Sequence, residues 1–516
     1  MKRNLLFYFL SIALSVAVFS CSDDDESFDD SSLLKEITAF GEKVNTLEAD
    51  VLDKAIDLTN GLETVTSLRT ELATLEEKVL TSNLQDALTL QNTLDGYSGK
   101  LDMAEMDLYK NRADEVKSIL DDINKDDVES LGLMDRYNAL LDEYTVLVEH
   151  INAACYLDAQ AVLDELEAEI KELAILAPPT WKGDLTLDDI DLFVSGSYGA
   201  VAGDIDFDGY GMGDDAPADL SSLNKLTYVA GSIYLYDLYK ITDLAGLENL
   251  REIGGGFTTG YCDELASLNG LNNLTAIGEG LSLGGDKLAD ISALASLEEV
   301  KHISISRTQI SSLNVFTKVT ALPDGLSLSQ NELLTSLDGL ENVTVCKNIS
   351  LYENAMLKNI DALSQLTTME GSISLIKNAE LESLAGLSAL TEVGGFTIDG
   401  SPAITDLSGL TNLVNVNGSM TIGGNDAANK MLNSLTGLSN LTSVTGTFTI
   451  ANTNISNLDD LANLTTSSWL TISANENLSD FCGLNKNMVE GLYGYHTSNN
   501  AYNPTKDDLI VGNCSN

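Results

Sequence analysis

The stretch Asp204-Ile205-Asp206-Phe207-Asp208-Gly209, with Asp215 at the twelfth place, has the spacing of a cation-binding loop. Carboxylates at alternate positions converge on one hard cation when the chain curls, a glycine at the sixth place permits the curl, and calcium is the ion such a loop suits. The same residues also read as a strand. Ile205-Asp206-Phe207 falls 28 residues before the similar triplet Ile233-Tyr234-Leu235. In that conformation Asp204, Asp206 and Asp208 line one outward face instead of wrapping an ion. Other chemistry is sparse. His150, His302 and His496 sit in no nucleophile, metal or general-base pattern. With 79 aspartates and glutamates, some pair will always suit glycoside hydrolysis, so their number carries no information. Gly-rich phosphate loops and zinc-like cysteine clusters are missing, and the chain reads as a non-enzyme with no cofactor beyond that candidate calcium.

Aromatic residues are the other candidates. Tyr210, Tyr228, Tyr234, Tyr236, Tyr239 and Tyr261 gather in one region, with Tyr352 and Trp469 farther on. Tyr234 and Tyr236 are expected side by side on a sheet face. Sugar rings stack on such surfaces, and protein partners use tyrosine and tryptophan as anchors. The ligand-binding candidates are therefore Tyr234, Tyr236, Tyr239, Tyr352 and Trp469.

These residues are positioned by a repeat of about 23 residues running from Ile205 to Leu484. Each copy reads apolar, Ser or Thr, apolar, then polar residues, then Leu-x-Gly-Leu-x-x-Leu. The strand cores include Leu281-Ser282-Leu283, Ile303-Ser304-Ile305, Ile349-Ser350-Leu351, Ile373-Ser374-Leu375, Phe396-Thr397-Ile398 and Leu470-Thr471-Ile472. Side chains alternate along a strand, so the middle residue points outward and the flanking pair inward. Leucines at fixed offsets with such a period predict a stacked parallel β-solenoid, because one coil alone cannot bury its apolar face. Asn331, Asn354, Asn378, Asn425 and Asn475 recur three places after their strands and are read as scaffold that bonds neighbouring backbone. The segment 423–432 lengthens one coil and is expected to bulge.

The run Leu384-Ala385-Gly386-Leu387-Ser388-Ala389-Leu390-Thr391-Glu392-Val393-Gly394-Gly395-Phe396-Thr397-Ile398 resembles leucine-rich repeats, more narrowly the receptor L-domain-like repeats of Bacteroidota surface proteins. Asp480-Phe481-Cys482-Gly483-Leu484, with Asn503-Pro504 and Gly512-Asn513-Cys514, looks like the terminal cap of that group. In an exported chain Cys482 and Cys514 would then form a disulfide. The remaining cysteines, Cys155, Cys262 and Cys346, are expected to be buried small hydrophobes. The resemblance implies a binding surface and no family-wide catalytic residues.

Before the repeats lies a different composition. Lys2, Arg3 and the apolar run 5–19 read as an export signal, and Val18-Phe19-Ser20-Cys21 resembles a lipobox, which would place a lipid on Cys21. The acidic Ser22-Asp23-Asp24-Asp25-Glu26 resembles a surface-export signal. Localisation is accordingly expected at the outer membrane, lipid-anchored and exposed at the cell surface. A net charge of −51 repels phosphate backbones and excludes nucleic acid as a partner class.

Residues 37–79 carry a heptad. Its first core position holds Ile37, Val44, Val51, Leu58, Val65, Leu72 and Val79, and its second holds Phe40, Leu47, Lys54, Gly61, Leu68, Leu75 and Ser82. Fifty residues of such helix, unbroken, would reach roughly 75 Å, and the stripe would pair with a second copy as a coiled coil. The segments 84–94, 101–123 and 128–176 are also amphipathic. Breaks at Gly96-Tyr97-Ser98-Gly99 and Asn124-Lys125-Asp126-Asp127 would let them fold back as a bundle, and the sequence leaves both readings open.

The whole is an α+β multidomain chain: an N-terminal α-helical coiled coil or bundle, then a leucine-rich-repeat-like parallel β-solenoid. The expected segments are a signal at 1–20, an acidic tether at 21–32, a helical spacer at 33–177, repeats at 178–484 and a cap at 485–516. Function is read as adhesion, or capture of an extracellular protein or glycan. A structural surface spacer that forms homo-oligomers through its helices is the alternative, and a carbohydrate-processing enzyme a more distant one.

Overall fold

The computed structural model describes residues 30–81, 87–156, 158–212, 216–424 and 432–516. The segment 1–20, Cys21, the tether up to residue 29, Ser82, Asp215, Asn425 and most of 423–432 lie outside the described residues. An N-terminal helical region is followed by a large sheet of parallel strands. The described chain divides into two compact units, 30–120 with 140–169 and 121–139 with 170–516. No described helix is long and apolar enough to cross a membrane.

In the first unit α1 (Asp30–Leu52) and α2 (Leu58–Thr81) form a hairpin. The heptad is therefore not one long helix. Lys54 adopts a left-handed conformation (φ 53°). Its N–H donates to the Val51 carbonyl and that of Ala55 to the Asp50 carbonyl, the paired bonds that close a helix end. Asp57 then caps α2 by accepting from the Asn60 backbone at 2.9 Å. Lys43 pairs with Glu71 at 2.9 Å and Glu36 with Lys78 at 2.5 Å, so advancing along α1 means retreating along α2. Ile37, Phe40, Val44, Leu47, Val51, Val65, Leu68, Leu72, Leu75 and Val79 are all buried, which uses the apolar stripe inside the chain. Gly61 lets α3 (Ala87–Asp121) approach closely, since a Cβ there would stand 2.4 Å from a Leu108 methyl.

Helix α3 runs unbroken through the expected break at Gly96-Tyr97-Ser98-Gly99. Tyr97 packs edge-on against Phe40, with ring centroids 5.7 Å apart, in space left by Gly41. That packing outweighs the roughly 1 kcal/mol cost of each helical glycine. The second expected break is present: Asn124 caps α4 (Lys125–Ser130) through its Oδ1, 3.1 Å from the Asp126 nitrogen. Two further helices follow, α5 (Met134–Asn152) and α6 (Ala159–Leu176), and Pro178 follows the end of α6.

Residues 121–139 and 170–177 group with the sheet unit. Arg136 Nη1 lies 3.1 and 3.2 Å from the two carboxylate oxygens of Glu252. The Thr227 hydroxyl donates to the Ile175 carbonyl at 2.7 Å. The start of the sheet is thus covered partly by helix, together with the short strands Thr180–Trp181 and Leu185–Thr186.

The repeat sets the register of the sheet. Ile205 pairs with Ile233, Ile233 with Phe257, Phe257 with Leu281, Leu281 with Ile303 and Ile303 with Leu326, all parallel. The series continues through Ile349, Ile373, Phe396, Met420, Phe448, Leu470 and Tyr495. Each step aligns like with like, so the inward residues make one continuous core. The phrase Leu-x-x-Leu-x-x-Leu forms a tight turn: Leu247 N–H donates to the Leu244 carbonyl and Leu250 N–H to that of Leu247, an i→i+3 pattern that turns three leucines to one side. The glycine in that phrase is sterically required. At Gly246, Gly270, Gly339 and Gly437 φ lies between 110° and 116°. A Cβ at any of them would fall 1.8–2.1 Å from a carbonyl oxygen of an earlier coil.

The asparagine column is a buried ladder. Asn354 Oδ1 accepts from the Asn331 backbone at 3.1 Å, and Asn354 Nδ2 donates to the Leu328 carbonyl at 2.8 Å. Asn378 Oδ1 accepts in turn from the Asn354 backbone at 3.1 Å. The residue before each asparagine is left-handed: Gln330, Glu353, Lys377 and Ala474 have φ of 54–57°, which turns the following amide inward. At the far end Cys482 and Cys514 are disulfide-bonded with Cα atoms 4.9 Å apart. The closed loop spans 32 positions, for which chain entropy gives roughly 3–4 kcal/mol of stabilisation. Cys262 and Cys346 are buried, but Cys155 is exposed, contrary to the expectation for it.

Asn354→Ala removes an acceptor and a donor from the interior and leaves Asn331 N–H and the Leu328 carbonyl unpaired. Denaturant unfolding is expected to show a loss of about 3 kcal/mol, while the outward Ser374→Ala changes stability by less than about 0.5 kcal/mol.

Candidate binding face

The outward side chains of the strands form columns across the sheet. One column reads Asp206, Tyr234, Thr258, Ser282, Ser304 and Ser327, in register by direct pairing. The next outward column reads Asp208, Tyr236, Gly260. Hydroxyls dominate the rest of the first column, as Ser350, Ser374, Thr397, Thr421, Thr449 and Thr471, and they are half-buried against their neighbours.

Tyr234 and Tyr236 stand on one strand, Ile233–Tyr236, with ring centroids 6.3 Å apart and planes 11° from parallel. Both are half-buried. The Tyr236 ring rests over Gly260, where a Cβ would lie 2.6 Å from its Cε1. Tyr239 is not on the face; it lies in the turn after this strand, beyond left-handed Asp237. Tyr210 and Tyr261 are exposed outside the strands, and Tyr228 is buried.

The carboxylates of the supposed calcium loop flank this pair. Ile205–Asp208 is a strand with alternating burial, so Asp206 and Asp208 project outward and are exposed. Asp204 Oδ1 accepts from the Ser232 backbone at 2.7 Å, and Asp208 Oδ1 from the Tyr210 backbone at 2.8 Å. The curled loop is overturned by the strand pairing, which holds the chain extended. Among the described residues no group of three or more His, Cys, Asp or Glu is arranged to hold a metal.

Tyr352 sits farther along, with Lys377 Nζ 5.6 Å from its ring centroid. Lys377 also bonds Glu353 Oε1 at 2.9 Å, and Gln330 donates to Glu353 Oε2 at 2.9 Å. This cluster was not visible in the sequence as a set, although the 23- and 24-residue offsets between Gln330, Glu353 and Lys377 would have placed them in adjacent coils. Trp469 is 46% exposed near the other end, its ring system lying over Gly494 within 2.3 Å of where a Cβ would be.

A groove of about 550 Å³ lies elsewhere, lined by Pro323, Val345, Cys346, Lys347, Met369 and Glu370 among others. It lies beside the pairing of Ala321–Leu322 with Val345–Cys346, which forms a separate two-stranded sheet. Burial pushes the Cys346 thiol up to about 12, which leaves it protonated and a poor nucleophile. His496 Nε2 lies 3.1 Å from the Ser498 hydroxyl, and no described interaction joins it to His150 or His302.

No family model matches the chain, and no curated protein does. Among solved structures, the crystal structure of the TLR13-ssRNA13 complex is similar at 17% identity and a TM-score of 0.20, over 56% of this chain. The match spans 58% of that chain.

Bonds from Lys377, then from Tyr352 and Gln330, hold the Glu353 carboxyl down at about 2. A folded-state value below the unfolded one contributes stability that is present above the ordinary glutamate range and lost as pH falls towards about 2. An NMR pH titration is expected to find Glu353 ionised well below its ordinary value of about 4.3. In Lys377→Met its midpoint moves back up towards that value.

Proposed function

We propose that this chain is a lipid-anchored cell-surface binding protein, its parallel sheet a leucine-rich-repeat-like β-solenoid that captures an extracellular protein or glycan. Anchoring would run through Cys21 to the outer membrane, by way of the lipobox-like segment ending at that residue. The observation that carries the recognition role is the near-parallel Tyr234 and Tyr236 pair on the outward face. Aromatic rings kept partly exposed on a rigid sheet lose little conformational freedom on binding and supply large contact area, which suits them to be anchors.

A spacer role through helix pairing between copies is the less favoured reading. It needs an apolar stripe for a partner helix, and the heptad positions of α1 and α2 are buried within their own hairpin.

The test is binding of the full chain to arrays of extracellular proteins and glycans, with and without calcium. A specific partner is expected whose binding falls at least tenfold in the Tyr234→Ala/Tyr236→Ala double variant while its thermal unfolding is retained. A folded protein that binds nothing on either array would overturn the reading.

A further inference from the structure

The geometry points to a cationic side chain, arginine or lysine on a basic polypeptide, as the occupant of the tyrosine pair. This inference rests on the recognition role proposed above and narrows its partner class. Two independent features converge. The first is the ring pair itself: two near-parallel rings with centroids 6.3 Å apart set two π faces close together, and a cation over such a face within about 6 Å of its centroid is attracted. The second is charge. The register sets Asp206 beside Tyr234 and Asp208 beside Tyr236 in the adjacent strand. Asp206 is exposed, with no hydrogen bond or ion pair among the described residues.

The four successive strands around the pair, Ile205–Asp208, Ile233–Tyr236, Phe257–Gly260 and Ala276–Gly284, carry Asp206, Asp208 and Glu279 and no lysine or arginine. This end of the face is therefore negative locally as well as through the chain's net charge of −51. A cation gains from the rings, from the two carboxylates and from the long-range field that steers it in. A neutral sugar gains from the ring faces and from hydroxyl bonds to the carboxylates but nothing from the long-range field, and an anionic one is repelled.

The test uses the full chain and a fluorescent arginine-containing glycine-serine peptide. Its citrulline counterpart keeps the shape and loses the charge. Measurements are made near 0.15 M salt, where distant exposed charges are screened over roughly 8 Å. The arginine peptide is expected to bind, and the citrulline peptide at least tenfold more weakly. Tyr234→Ala/Tyr236→Ala and Asp206→Asn/Asp208→Asn each weaken the arginine peptide about fivefold or more. Tyr234→Phe/Tyr236→Phe binds within about twofold of the parent, because the ring and not the hydroxyl supplies the attraction. Glu380→Gln/Glu382→Gln removes the same charge from exposed turn positions and is expected to change binding by less than twofold.

Equal loss in the Glu380/Glu382 variant would show a diffuse field effect and overturn the site. Equal affinity for both peptides, or no binding of either, would do the same. If a glycan or an uncharged protein surface then binds in a manner sensitive to the tyrosines, the recognition role stands and only the cationic occupant falls. When no ligand of any class responds to Tyr234 and Tyr236, both fall.

Discussion

The sheet depends on one constraint, that every repeat fall in register with the repeat before it, and a buried chain of side-chain amides enforces it. Asn331, Asn354 and Asn378 donate to the backbone carbonyls of Ile305, Leu328 and Leu351. An amide displaced by one residue would leave buried donors and acceptors without partners, at roughly 1–3 kcal/mol each. Leucine burial is less discriminating, because a hydrophobic contact tolerates a shift that a hydrogen bond does not. The left-handed residue before each amide is the cost of this arrangement. Gln330, Glu353, Lys377 and Ala474 all sit at φ 54–57°, where residues other than glycine are strained by about 1–2 kcal/mol. The ladder offsets that strain by satisfying several groups per coil.

Most of this half of the chain was legible, because its signals are periodic and each repeat confirms the last. The alternation in Ile373-Ser374-Leu375 assigns the faces, and the leucine spacing assigns the core. Even the Asp204 to Asp208 ambiguity was decidable from the 28-residue offset to Ile233, which matches the pairing of Ile205 with Ile233. A local motif and a long-range period made competing claims on the same residues, and the period prevailed because a strand already hydrogen-bonded to its neighbour cannot curl round an ion. What the period could not reveal was the company of each outward side chain. Tyr234 was recognisable as exposed, but its neighbour Asp206 becomes significant only when the two strands are aligned.

The helical region was less legible for a related reason. A heptad specifies an apolar stripe and says nothing of whether the covering helix comes from the same chain or another. Here the deciding residues were Lys54 and Asp57, which end one helix and start the next within a few positions. Gly96 and Gly99 pointed the wrong way, since their cost is local and the packing of Tyr97 on Phe40 is tertiary. Neither outcome follows from propensity alone, and the recruitment of residues 121–139 to the sheet unit has no sequence signal at all.

The outward face is the part of the sheet that the register does not constrain, and its aromatics must be judged against what the scaffold itself requires. Tyr236 and Trp469 each lie over a glycine of a neighbouring strand, Gly260 and Gly494. Covering an exposed strand glycine with a ring stabilises a sheet without any ligand, so these two residues have a sufficient structural reason to be aromatic. Tyr234 has no such reason. Its neighbour in the next strand is Thr258, which brings its own side chain to the surface, and the hydroxyls that fill this column elsewhere would serve the fold there equally well. Of the two rings in the pair, Tyr234 is the one that covers no strand glycine. It stands next to Asp206, an exposed carboxylate that bonds nothing among the described residues.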